Sequence, residues 1–216
     1  GHIITTSVEH HAVLHTCRRL EELGFTVTYL EVDKTGRVSP EQFMAAIRPD
    51  TFLVSIIFGN NEVGTLQPLE EIGKLAQERG IVVHTDAVQA LGTMEIDLKA
   101  LPVDFMSFSA HKVNGPKGVG LLYVAQDTKW TPLLYGGSQE RNRRAGTENV
   151  AGIVGFAEAV KLAAEEREHK HKLLWELRTR FLDRLATELA PMELVVNGHP
   201  EDVLPHIMNV SFPGLS

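Results

Sequence analysis

The feature that most narrows the fold of this chain is an alternation: strand-like and helix-like stretches follow one another from the first residue to about residue 125. The strand candidates are His2 to Thr6, Thr26 to Glu31, Phe52 to Phe58, Ile81 to Asp86, Phe105 to Ser109 and Val119 to Val124. Each is a short apolar, β-branched or aromatic run bounded by turn residues. Between them lie helical patterns at His10 to Leu23, at Pro40 to Ile47 with Ser39 as its cap, and at Leu69 to Arg79, closed by Gly80. Such alternation predicts a mostly parallel sheet with helices on both faces, a three-layer α/β/α architecture. From about Asn149 the texture changes, with alanine, leucine, glutamate and lysine dominating Val150 to Leu189. Leu174, Leu177, Phe181, Leu185 and Leu189 recur there at helical spacing, which predicts one helix or a kinked pair. Asn197-Gly198-His199-Pro200 then reads as a turn and His206 to Phe212 as a strand.

Open α/β sheets bind ligands beyond the carboxyl ends of their strands, so residues at those ends carry the functional reading. The tetrad Ser109-Ala110-His111-Lys112 follows the apolar run Val103 to Phe108 and precedes the glycine-rich Gly115-Pro116-Lys117-Gly118-Val119-Gly120. A lysine in that position is either a catalytic amine or an anion clamp. Upstream, Ile81-Val82-Val83-His84-Thr85-Asp86 is a second apolar strand that ends in an acid, with Gln89 three residues on. A strand-end carboxylate and a strand-end amine are what is needed to hold a pyridinium nitrogen and an aldehyde carbon together, the chemistry of pyridoxal phosphate. An amine that attacks an aldehyde must be accessible and partly unprotonated, which burial among apolar strands is expected to promote for Lys112. Lys117 is the competing amine, but its glycine-rich turn suits a surface residue.

Other candidates gather at the same edge. Asn61 lies in Asn60-Asn61-Glu62-Val63-Gly64, after a strand; the plainer reading of such a segment is a turn. His10 opens the helix after the first strand, where an imidazole can lie against a ring and exchange protons near neutral pH. Ser109 and His111 offer a hydroxyl and a ring nitrogen to a phosphate. Thr147 reads most simply as a helix N-cap. His11, His15, His169, His171, His199 and His206 carry no functional reading, and no metal site is expected.

Composition excludes several classes. No apolar run approaches the roughly 20 residues of a membrane span, and a formal charge of −7 argues against a general nucleic-acid surface. Arg141, Arg143 and Arg144 form only a local basic cluster. A single cysteine rules out a disulfide framework and suits a reducing, cytoplasmic setting. That residue, Cys17, sits among Leu14, Arg18, Leu20 and Leu23, which predicts a buried position on an amphipathic helix.

Several segments together resemble the cysteine desulfurases of the class V pyridoxal-phosphate aminotransferase family, in the branch associated with nitrogen fixation and iron-sulfur cluster assembly. They are Val8-Glu9-His10-His11-Ala12-Val13-Leu14, Gly59-Asn60-Asn61-Glu62-Val63-Gly64, His84-Thr85-Asp86-Ala87-Val88-Gln89, Ser109-Ala110-His111-Lys112, Gly136-Gly137-Ser138-Gln139-Glu140-Arg141 and Arg143-Arg144-Ala145-Gly146-Thr147-Glu148-Asn149. The resemblance implies a fold type I large domain over residues 1–150, and over 151–216 connecting helices and the start of a small α+β C-terminal domain. It implies pyridoxal 5'-phosphate bonded to Lys112, with Asp86 at the ring nitrogen, Gln89 and Asn61 at the phenolic oxygen and His10 on the ring. Ser109, His111 and, across a homodimer interface, Thr147 would contact the phosphate. L-cysteine is the implied substrate, and a sulfur acceptor or iron-sulfur scaffold protein the implied partner. By the same resemblance the chain is expected to be truncated at both ends, with a phosphate-binding turn before residue 1 and the sulfur-accepting cysteine beyond Ser216. The alternatives are another enzyme of this fold, such as a selenocysteine lyase or an aminotransferase, and an inactive fragment.

Overall fold

The computed structural model describes residues 1–214. In chain order the elements are β1 (His2–Thr6), α1 (His11–Glu22), β2 (Thr26–Leu30), α2 (Pro40–Ala46), β3 (Thr51–Ser55), α3 (Leu69–Gln77), β4 (Val82–Asp86) and β5 (Phe105–Ser109). A 3-10 turn at Ala110–Val113 then leads to β6 (Gly120–Val124), a distorted one-turn helix α4 (Gln139–Asn142), the long α5 (Val150–Glu188), β7 (Val195–Asn197) and β8 (Asn209–Ser211). Six strands form one sheet in the order β2-β1-β3-β4-β5-β6, and β7 pairs with β8 separately.

The first five strands are parallel, and β6 returns antiparallel to β5. The reversal has a covalent cause: residues 110–119 are too few for the dozen or so that a parallel crossover needs. Along each central strand, alternate residues serve opposite faces. Ile4, Val54, Val83 and Met106 are buried on one face with Phe43 of α2, Ile72 of α3 and Phe156 of α5 in a single apolar cluster. The other face presents Ile3, Leu53, Ser55, His84 and Ser107, with α1 bringing Val13, Thr16, Cys17 and Leu20 over part of it. Helices thus lie on both faces, but the apolar face carries most of the packing.

Local signals account for the helix boundaries. Ser39 accepts from the amide of Gln42 at 3.2 Å while the Gln42 side chain accepts from the amide of Ser39, a reciprocal cap that starts α2 at Pro40. Asn149 accepts from the amide of Gly152 and starts α5, which runs as one helix rather than a kinked pair.

Two expectations are adjusted. β3 ends at Ser55 rather than Phe58, because the amide of Ile57 turns to the carboxyl of Glu9, although Ile56 and Phe58 still donate to the carbonyls of His84 and Asp86. The last strand is confined to Asn209–Ser211. The segment before it packs back on the loop after β3: Leu204 is fully buried, and a Cβ on Gly59 would stand 2.7 Å from Leu204 Cδ1. Leu204 donates to the carbonyl of Gly64, whose φ of 81° is a left-handed conformation that glycine tolerates.

Gly73 provides a test of this packing. Alanine in a helix interior ordinarily gains about 1 kcal/mol over glycine, but a Cβ on Gly73 would lie 2.5 Å from the backbone oxygen of Pro102. The clash decides the sign, and Gly73→Ala is expected to destabilise the protein by about 1–3 kcal/mol in denaturant unfolding.

Candidate active site

The strand order reverses direction at β1, whose chain neighbours β2 and β3 lie on its two sides. The loops after β1 and β3 therefore leave the sheet side by side, the arrangement that opens a crevice in such folds. A cleft of about 670 Å³ lies there, lined by His10, Asn61, Asp86, Gln89, Ser109, His111 and Lys112 together with residues of α1 and of the exposed sheet face. Every site candidate except Thr147 lines this cleft. Lys117 does not.

His10 is the N-cap of α1. Its Nδ1 accepts from the amide of Ala12 at 3.1 Å, which anchors the ring to the helix start. The loop after β3 divides its asparagines between two tasks. Asn60 is buried and structural, with Oδ1 accepting from the amides of Glu62 and Val63 and Nδ2 donating to the carbonyl of Val8. Asn61 is half-buried and lines the cleft. Asp86 ends β4 with only 8% of its surface exposed, and its Oδ1 accepts from the amide of Val88 at 3.0 Å. Gln89, three residues on, is half-buried rather than solvated.

Ser109 ends β5 with its Oγ 2.7 Å from Nδ1 of His111, so a hydroxyl and an imidazole are held as one polar pair beside Lys112. Lys112 itself corrects the sequence reading. It lies in the 3-10 turn beyond β5 and is exposed, because the turn lifts it off the apolar run that precedes it, so the expected burial of its amine is not found. Thr147 is exposed and stands two residues before the true cap of α5, Asn149, so the N-cap reading fails for it.

Three groups escaped the sequence reading. His84 sits between two hydroxyls, Ser55 Oγ at 2.8 Å from Nδ1 and Ser107 Oγ at 2.9 Å from Nε2, so a polar rung crosses β3, β4 and β5 beneath the cleft. Burial pushes its pKa below the ordinary histidine value, opposed by the charge of Asp86. Its alternation with Asp86 on one face of β4 was the available signal. Glu9 is buried next to His10, and desolvation raises its carboxyl to about 8. Desolvation, aided by the positive charge of Lys112, lowers the pKa of His206; no local pattern announces that proximity. Cys17 lines the cleft wall from α1, buried as expected, and burial, reinforced by Glu9 and Glu21, pushes its thiol up.

The comparisons with known proteins agree with this fold. A family model described as "Aminotransferase class-V" matches residues 1–216. The chain belongs to that family. A relative from Bacillus subtilis (strain 168), named "Putative cysteine desulfurase IscS 1", is 55% identical over 100% of this chain and 56% of its own length. A solved NifS-like protein superposes with a TM-score of 0.93 at 42% identity, covering 99% of this chain and 58% of that one. A third, titled "SspA in complex with cysteine", gives 0.84 at 40% identity over 98% and 58%. The chain spans about half the length of the curated relatives it matches.

The buried imidazole sets a pH test. Near and below the ordinary value of 6.5 the unfolded chain binds a proton more readily than folded His84, whose pKa burial lowers. Stability therefore falls as pH drops through that value. Unfolding free energies of wild type and His84→Gln, compared from pH 7.5 to 5, should show a difference whose slope vanishes above about pH 7.

Proposed function

We propose that the cleft holds pyridoxal 5'-phosphate and that the protein acts as a cysteine desulfurase, converting L-cysteine to L-alanine with sulfur passing to an enzyme cysteine. The observation that carries this reading is one cleft in which a buried carboxylate, Asp86, and an accessible amine, Lys112, stand with the paired Ser109 and His111. The donor set suits the cofactor: an amine for the aldehyde, an anion for the ring nitrogen, and a hydroxyl with an imidazole for the phosphate. The cleft volume lies within the range of cofactor sites. Names of the relatives support the activity, and the cysteine in one neighbour's title supports the substrate.

When bound, the cofactor supplies an electron sink for bonds broken next to the substrate's amino-bearing carbon. Lys112 would hold the aldehyde carbon of the cofactor and would serve to move protons at the amino-bearing carbon of the substrate. Asp86, fixed by the amide of Val88, would face the ring nitrogen and favour its protonated form. Gln89 and Asn61 are suited to donate to the phenolic oxygen, His10 to cover the ring, and Ser109 with His111 to take the phosphate. A protein thiolate then attacks the substrate sulfur. An S–S bond forms as the C–S bond breaks, and the carbon left behind takes a proton to become alanine. Cys17 is a poor nucleophile for that step, since its thiol is pushed up rather than down.

The reading extends to assembly. Thr147 is exposed, and in the segment that leads to it Leu133 and Tyr135 are 91% and 77% exposed, and Arg141, Arg143 and Arg144 are exposed as well. Glu140, Arg141 and Asn142 all take positive φ, a costly backbone for side-chain-bearing residues unless surroundings hold it. A second copy covering this loop would supply those surroundings and place Thr147 at the partner's phosphate, making the active site a property of the homodimer. No helix among the described residues is long and apolar enough to cross a membrane. We assign the protein to the cytoplasm, where the sulfur would pass to an acceptor or iron-sulfur scaffold protein.

Borohydride reduction of the cofactor-loaded intact protein, followed by peptide mapping, should place the pyridoxyl group on Lys112; a label on Lys117 alone would refute the assignment. The shared site has its own test. Lys112→Ala and Thr147→Ala proteins, each inactive, should recover part of the sulfide-forming activity when their subunits are exchanged. No recovery despite demonstrated exchange would remove Thr147 from the partner's site.

A further inference from the structure

Glu9 is a carboxylic acid that the proposed mechanism does not use. It is 5% exposed, and its Oε1 accepts twice, from Thr6 Oγ1 at 2.8 Å and from the amide of Ile57 at 2.7 Å. Thr6 closes β1 and Ile57 follows β3, so a single oxygen ties together the two strand ends between which the cleft opens. A second tie runs alongside, where Asn60 Nδ2 donates to the carbonyl of Val8 at 2.9 Å. The two loops joined in this way carry His10 and Asn61. Glu9 Oε2 has no hydrogen-bond partner among the described residues.

We propose that Glu9 is a positioning residue of the cleft: its carboxyl clasps the loop bearing His10 to the loop bearing Asn61 and fixes where both side chains stand against the cofactor. The proposal rests on the reading of the cleft as a pyridoxal phosphate site. The titratable groups that act on or with the carboxyl are Asp86 from β4 and Cys17 from α1, and His10 follows it in the chain. Desolvation, with Asp86 adding repulsion, raises Glu9 to about 8, against which the bonds from Ile57 and Thr6 act. Burial thus favours the neutral acid, which joins the loops with less repulsion from Asp86 than a carboxylate would meet. Two accepted bonds on one oxygen leave the other oxygen to carry the proton.

The decisive variants in the intact protein are Glu9→Gln, which keeps an accepting oxygen and cannot ionise, and Glu9→Leu, which removes the acceptor. In cofactor-free protein, the ring signals of His10 and the side-chain amide signals of Asn61 should shift in Glu9→Leu and stay near wild type in Glu9→Gln. Pyridoxal phosphate affinity at pH 7, read by fluorescence titration, should fall on the order of tenfold in Glu9→Leu, as for a lost buried hydrogen bond, and recover in Glu9→Gln. Linkage gives a third readout. Between the ordinary value of 4.5 and about 8, folded Glu9 keeps a proton that the unfolded chain has lost, so its contribution to stability is full below 4.5 and gone once the pH passes about 8. Glu9→Gln should abolish that decline. Unmoved His10 and Asn61 signals in a folded Glu9→Leu protein would overturn the clasp, as would a Glu9→Gln protein that behaves like Glu9→Leu. Should Glu9→Leu fail to fold, a Glu9→Gln protein with wild-type pH dependence of stability overturns it instead. Absence of cofactor binding in wild type would refute the functional reading, while the nuclear magnetic resonance signals still decide the clasp.

Discussion

Parallel pairing of β1 with both β2 and β3 is the constraint from which the rest of this molecule follows. Parallel strands all end at one edge, so each loop that leaves a carboxyl end starts from the same side of the sheet. The residues that can meet are those just beyond Thr6, Ser55, Asp86 and Ser109. His10, Asn61, Asp86 and Lys112 are distant in sequence, and the topology alone makes them neighbours. Their chemistry then depends on fine placement, which falls to short-range bonds such as the helix cap at His10 and the Asn60 turn.

The two sheet faces divide stability from function. The apolar face, through Ile4, Val54, Val83 and Met106 packed on Phe43 and Ile72, is closed to solvent. On the opposite face the strands carry Ser55, His84 and Ser107, whose mutual bonds satisfy polar groups that would otherwise be costly beneath a cleft. A neutral histidine suits that role because one ring nitrogen donates and the other accepts, allowing a single side chain to join hydroxyls on both neighbouring strands.

Most of the fold was legible in the sequence because it rests on periodicity. The strands at His2–Thr6 and Phe105–Ser109 and the Ser39 cap of α2 follow from local residue pattern alone. What was not legible depends on distant contacts. β3 stops short because Glu9, far away in the chain, takes the amide of Ile57. Lys112 is exposed because the turn after β5 sets its height above the sheet, a matter of three residues that hydrophobic patterning does not resolve. The site residues themselves stood out through their positions after apolar runs. Glu9, His84 and His206 did not, since an acid or imidazole at those places gains meaning only once the strands are side by side.

The cap at His10 also settles which of its two ring nitrogens carries the hydrogen of the neutral ring. Nδ1 is engaged as an acceptor from the amide of Ala12. A proton arriving there would break the cap and leave the first turn of α1 with an unmet donor. The neutral ring is therefore held in the form that carries its hydrogen on Nε2. Helix α1 acts in this way as a tautomer lock: the one basic lone pair of the neutral ring is the one the cap occupies, so His10 can take up a proton only when the first turn of the helix gives up that bond.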